Sequence, residues 1–180
     1  MDFVIRSGRA VLFPVYKGTY ERIVQAAGPN DRRDLWIARV KDMRRSIDYL
    51  LTRADVDKER LGFFGLSTGA FAGVRLTALE TRLKASVLMG GGMLPVRSSS
   101  EIDEVNFAPR IRVPTLMLNG RSDYTYPYDS SQLPLFRLLG PSGDRKAHAT
   151  FEGGHLPTRQ HDVIRTILDW FDKYLGPVQP

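Results

Sequence analysis

Leu61-Gly62-Phe63-Phe64-Gly65-Leu66-Ser67-Thr68-Gly69-Ala70 is the stretch on which the reading of this chain turns. Its first six residues form a short apolar run of the kind that makes a buried strand. The small residues Ser67 to Ala70 then open a helix predicted to continue to about Thr81. A sharp strand-to-helix turn lifts its central side chain to the carboxyl edge of the sheet. There the first N–H groups of the helix point outward and favour developing negative charge. Gly65 and Gly69 leave room where side chains would collide with neighbouring backbone. The competing reading is a helix-capping serine in a glycine-rich turn; the flanking strand and helix favour a Gly-x-Ser-x-Gly turn that presents a nucleophile.

Working outward, strand and helix signals alternate. Ala10-Val11-Leu12-Phe13-Pro14-Val15, between Gly8 and Gly18, reads as a strand, as do Ala85 to Met89, Thr115 to Leu118 and Ala147 to Phe151. From Asp34, the expected N-cap, the residues Trp36, Val40, Met43, Ile47 and Leu50 recur at helical spacing and leave Arg39, Asp42 and Arg45 to water. Leu133 to Leu139 reads as a helix, and Val163, Ile164, Ile167, Leu168, Phe171, Tyr174 and Leu175 stripe a terminal helix that Gly176-Pro177 stops. The pattern predicts a single α/β domain over residues 1–180, a mostly parallel sheet of about five to six strands flanked by helices. Arg97 to Glu104, with three consecutive serines, is the expected flexible stretch. Gly90 to Val113 is expected to be largely extended.

The composition narrows the chemistry. With 180 residues, 42% of them hydrophobic and 26% charged, the chain has the ordinary globular mix. The absence of cysteine excludes a disulfide scaffold, a thiolate metal site and a cysteine nucleophile. The net charge of +6 is concentrated in the first sixty residues. Its densest part, Arg32 to Arg45, is interleaved with Asp31, Asp34, Asp42 and Asp48 as on a solvated helix face. No nucleic-acid recognition motif accompanies it. No run approaches the ~20 apolar residues of a membrane span, and Met1-Asp2-Phe3 lacks a signal-peptide start. A cytoplasmic protein bound to neither nucleic acid nor membrane is the expectation.

A serine nucleophile needs a base, and the base an orienting group. Of the three histidines, His148 falls inside a predicted strand and His161 at the start of the last helix. His155 stands instead in the loop Glu152-Gly153-Gly154-His155-Leu156-Pro157, after a strand and at the sheet end where Ser67 emerges. Asp123, in Asn119-Gly120-Arg121-Ser122-Asp123, follows its own strand in the same way; its competing reading is a turn aspartate, as for Asp129 and Asp144. The chain order Ser67, Asp123, His155 is that of α/β-hydrolases and differs from two other serine-hydrolase orders.

The chain resembles the α/β-hydrolases of the dienelactone hydrolase and prolyl-oligopeptidase-like group. The likeness runs from about Ser7 to Gly176 and is carried by Lys41-Asp42-Met43, Ile47-Asp48-Tyr49-Leu50, Asp55 to Arg60, the Gly65–Gly69 motif, Asn119 to Asp123 and Gly153-Gly154-His155. It implies carboxylic ester hydrolysis through Ser67, Asp123 and His155, with no metal and no cofactor. It also implies a longer sheet, of about eight strands. In the register where Ala10 to Val15 is the family's fourth strand, the first three are missing, along with a loop that supplies one oxyanion-hole N–H. Two repairs are open: Ala10 to Val15 moves in beside Leu61 to Leu66 and carries Tyr16 and Lys17 towards Ser67, or a homo-oligomer covers the gap. In a competing register Ala10 to Val15 is itself the third strand. Either way Thr68 N–H and a Tyr16 group are the expected oxyanion donors, although an aromatic packing at a strand end explains Tyr16 equally well. A minimal lid predicts an open site for small esters with short acyl chains, lined by Leu66, Met93 and Leu94. Dienelactone-type or peptidase activity and a non-catalytic binding module are the alternatives.

Overall fold

The computed structural model describes residues 2–25 and 28–178. Its centre is a four-stranded, wholly parallel sheet of β1 (Gly62–Leu66), β2 (Ala85–Met89), β3 (Thr115–Gly120) and β4 (Lys146–Phe151), in that spatial order. Because successive side chains point to opposite faces, the sheet feeds two cores. Phe63, Leu88 and Met117 pack with Met43 and Ile47 of α2 (Pro29–Thr52) and Ala70 and Val74 of α3 (Thr68–Leu79). Ala85, Val87, Leu116 and Leu118 pack on the other face against Val163, Ile167, Trp170 and Phe171 of α6 (Gln160–Leu175). Short helices α1 (Asp2–Arg6), α4 (Glu104–Phe107) and α5 (Leu133–Leu138) complete the layers.

The expected strand at Ala10 to Val15 does not form, so the described sheet has four strands rather than five or six. The segment is held at its ends by charged side chains instead of a backbone ladder. Arg9 reaches Asp172 and the Gly176 carbonyl, while Arg22 donates to the Val15 carbonyl at 2.6 Å and Lys17 N–H to Asp42 at 2.8 Å. Its apolar residues lie along α2, and Phe13 remains 65% exposed. Apolar composition alone cannot make a strand where no neighbouring backbone is in register.

Consequently β1 is a terminal strand. Ser67 N–H donates to the Met89 carbonyl and Lys84 N–H to that of Leu61, so the odd-numbered residues of β1 face β2. By alternation the peptide groups of Gly62, Phe64 and Leu66 face outward, and among the described residues no strand pairs with them. Two further boundaries differ from expectation. Helix α2 begins at Pro29, five residues before Asp34, with Gly28 as N-cap and the Asp31 carboxylate accepting the Gly28 N–H at 3.2 Å. Residues 97–104 are tied down: buried Asp103 accepts from Arg97 Nε at 2.6 Å and Ser98 N–H at 3.2 Å, and caps α4 through Val105 N–H. The stretch from Gly90 to Val113 is not extended throughout, since α4 and a tight turn at Ala108–Arg110 bury Ile102, Ala108 and Ile111.

Candidate active site

Ser67 adopts φ 53° and ψ −112°, a left-handed conformation that costs a non-glycine residue on the order of 1–3 kcal/mol. The strain is held by its neighbours. Gly65 is packed so tightly on the first turn of α3 that an added Cβ would lie 2.8 Å from Ala70 N. Gly69 differs from expectation: a Cβ there meets nothing within 4 Å. Thr68 opens α3, and its N–H belongs to the first-turn amides that have no acceptor within the helix.

The acid and base loops are joined by a continuation of the β3–β4 pairing. Arg121 N–H donates to the Phe151 carbonyl at 2.8 Å and Ser122 N–H to that of Gly153 at 3.0 Å. Gly153, at φ 121°, supplies the turn. The approach of Gly154 to Gly120 leaves no space for a side chain at 120. These contacts bring His155 beside Asp123. The Asp123 side chain is fully buried; one oxygen accepts Thr125 and Tyr126 N–H at 2.8 and 3.1 Å, and the other lies 2.8 Å from His155 Nδ1. His155 Nε2 lies 2.7 Å from Ser67 Oγ. A carboxylate only accepts, so Nδ1 carries the proton and Nε2 accepts from the Ser67 hydroxyl. The three side chains are thus hydrogen-bonded in series at the carboxyl ends of three different strands.

The fourth wall is Gly90-Gly91-Gly92-Met93-Leu94. Gly90, at φ 60°, abuts the His155 ring, where an added Cβ would be 3.4 Å from Cε1. Buried Asn119 donates to the Gly91 carbonyl at 2.9 Å, the Ser131 hydroxyl to that of Met93 at 2.6 Å, and Leu94 N–H to Glu104 at 2.9 Å. Glu104 is paired in turn with buried Arg75 of α3 at 3.2 Å. The roles of Ser131, Glu104 and Arg75 are not apparent in the sequence, because isolated polar residues that fasten a loop follow no periodicity, and Asn119 figures there only as part of the acid motif. His148 is structural. It stacks on Tyr128 and faces Asn119 Oδ1 at 3.2 Å, and burial lowers its pKa. His161 is exposed.

No hydrogen bond joins Tyr16 to Ser67 or Thr68 among the described residues. The Tyr16 hydroxyl donates to Met43 Sδ at 3.6 Å, and burial, then the nearby Asp42 carboxylate, push its pKa up to about 12. Because no strand forms at Ala10 to Val15, neither expected strand register is realised. Leu66 is 41% exposed beside Ser67 and Leu156 is 60% exposed beside His155, so the site opens to solvent. Met93 packs on the core and is half-buried. Among the described residues no group of His, Asp and Glu has the arrangement of a metal site, and no helix is long and apolar enough to cross a membrane.

The parallel order, the helices on both faces and the loops at the carboxyl ends define a shortened α/β-hydrolase-like fold. Solved structures agree. A cold-adapted esterase from an Arctic intertidal metagenomic library matches 79% of this chain with 64% of its own, at 23% identity and a TM-score of 0.64. A putative dienelactone hydrolase from Klebsiella pneumoniae matches 77% of this chain with 62% of its own, at 21% identity and a TM-score of 0.66. The acylaminoacyl peptidase of Pyrococcus horikoshii matches 82% of this chain with 29% of its own, at 17% identity and a TM-score of 0.68. The chain therefore spans less than two thirds of the length of each of these three proteins. No protein-family model matches it.

Proposed function

We propose that the chain is a serine carboxylesterase acting on small, short-chain acyl esters. The observation that carries this reading is the His155 imidazole, which bridges Ser67 Oγ at 2.7 Å and Asp123 at 2.8 Å. In this reaction the Ser67 oxygen attacks the ester carbonyl while His155 Nε2 takes its proton. Asp123 keeps the imidazole in the required tautomer and stabilises the cation that forms. The Thr68 N–H receives the developing oxyanion. His155 then passes the proton to the departing alcohol, which leaves an acyl group on Ser67. Water repeats both transfers, releasing the acid and restoring the serine. A Tyr16 group is the second donor in this reading, either its main-chain N–H or, once it leaves Met43, its hydroxyl.

The exposure of Leu66 and Leu156 and the packing of the Gly90–Val113 segment into the core support an uncovered site suited to short acyl groups. The solved esterase and dienelactone hydrolase of similar fold support an ester as substrate. The test is hydrolysis of p-nitrophenyl acetate, butyrate and longer esters by the wild type and by Ser67→Ala. Loss of the nucleophile is expected to lower kcat by about 10⁴–10⁶, and equal rates in the two proteins would refute the proposal. A fluorophosphonate that fails to label Ser67 would favour a binding module.

A further inference from the structure

The residues that touch His155 include one that acid, base and nucleophile do not account for. Tyr126 is only 5% exposed, and its ring stacks on the imidazole with centroids 6.0 Å apart and planes inclined by 29°. Its main chain is fixed by the carboxylate that orients His155: Asp123 Oδ1 accepts the Tyr126 N–H while Oδ2 faces His155 Nδ1. The Tyr126 carbonyl accepts from buried Gln132 Nε2 at 2.8 Å. The glycine wall also packs against the side chain, since an added Cβ at Gly92 would lie 2.9 Å from Tyr126 Cδ1. A large aromatic side chain is thus fixed at its backbone, in contact with the glycine wall and stacked on the imidazole.

We infer that Tyr126 is a positioning residue for His155, which keeps the imidazole plane aligned between Asp123 and Ser67 and favours its protonated form during acyl transfer. The inference rests on the proposed esterase mechanism. Two physical effects support it. An offset aromatic pair resists tilting of either ring, and a neutral His155 that tilts loses the 2.7 Å approach to Ser67. When His155 becomes an imidazolium, the tyrosine π face attracts the cation more strongly than it attracts the neutral ring. An interaction that strengthens as charge develops raises kcat and leaves ground-state binding unchanged. The ring, not the hydroxyl, does this.

The test compares Tyr126→Leu, which keeps apolar volume without a ring, with Tyr126→Phe, which keeps the ring. Turnover of p-nitrophenyl acetate is normalised to the fraction of protein labelled by a fluorophosphonate. Tyr126→Leu is expected to lower kcat by about 10- to 100-fold with KM within about threefold, and Tyr126→Phe to stay within about threefold of wild type in both. Wild-type kcat in Tyr126→Leu, an equal loss in Tyr126→Phe, or a loss confined to KM would each overturn the inference. Nitrogen NMR of the imidazole tests it without turnover. Wild type is expected to show His155 as the Nδ1–H tautomer and Tyr126→Leu a mixture; an unchanged spectrum overturns the inference. A wild type that cleaves no ester refutes the esterase proposal, while the NMR comparison still judges the stacking. If Tyr126→Leu does not fold, Tyr126→Met carries the same expectations.

Discussion

Replacing Gly65 with alanine tests whether the turn at Ser67 depends on contact between two backbones. A Cβ at Gly65 would stand 2.5 Å from the Gly69 carbonyl carbon and 2.8 Å from Ala70 N. Both are main-chain atoms of the first turn of α3, so no rotamer change relieves the overlap. Carbon contacts are most favourable near 3.5–4 Å, so the strand and helix have to part by about 1 Å. Overpacking of this kind costs about 1–3 kcal/mol, which for a domain of this size lowers Tm by roughly 2–12 °C. The displaced atoms adjoin Ser67, and a misplacement of about 1 Å costs on the order of 10²-fold in rate. Gly69→Ala is the matched control: its Cβ meets nothing within 4 Å, and alanine in place of glycine adds up to about 1 kcal/mol of helix propensity. Thermal unfolding and active-site-titrated hydrolysis of p-nitrophenyl acetate measure both variants. Wild-type stability and rate in Gly65→Ala, or equal damage from Gly69→Ala, would refute the reasoning.

Asp123→Asn replaces an acceptor with a group that can donate to Nδ1, which favours the wrong tautomer. A fall in kcat of about 10⁴ is expected with little change in KM, measured by steady-state hydrolysis. Tyr16→Phe is expected to keep kcat within about threefold, because the hydroxyl is engaged by Met43; a hundredfold loss would show that Tyr16 swings to the oxyanion after all. The outward peptide groups of Gly62, Phe64 and Leu66 are unpaired by any described strand, and unpaired edges invite strand addition. Association to a dimer or larger oligomer is therefore expected as concentration rises through the micromolar range. A constant monomer mass by light scattering would contradict it.

The parts of the molecule legible in the sequence are those whose signal is local. Phe63, Val87 and Leu116 lie in short apolar runs that form strands because parallel neighbours exist for them. Ser67, Asp123 and His155 were legible because each follows such a run, and the structure brings their side chains into hydrogen-bonding distance. Ala10 to Val15 misled because the same local signal occurs without a partner, and sheet pairing is a non-local property. Gly69 misled for a related reason: its motif position matches that of Gly65, but only Gly65 meets another backbone. Tyr126 and Glu104 carried no pattern at all, since what matters in them is the group they touch across the fold.

The terminal position of β1 also sets an edge that no described strand pairs directly beside the nucleophile. Leu66, the last outward peptide group, is the immediate neighbour of Ser67. Any extended segment that templates along Gly62–Leu66 would end its ladder at the strained turn itself. If such a segment alters the affinity of a reversible ligand at Ser67, that ligand alters the affinity of the segment by the same factor. An edge-binding peptide would then be a modulator of the site without entering it, and a site-directed inhibitor would serve as a reporter of what is bound along the strand.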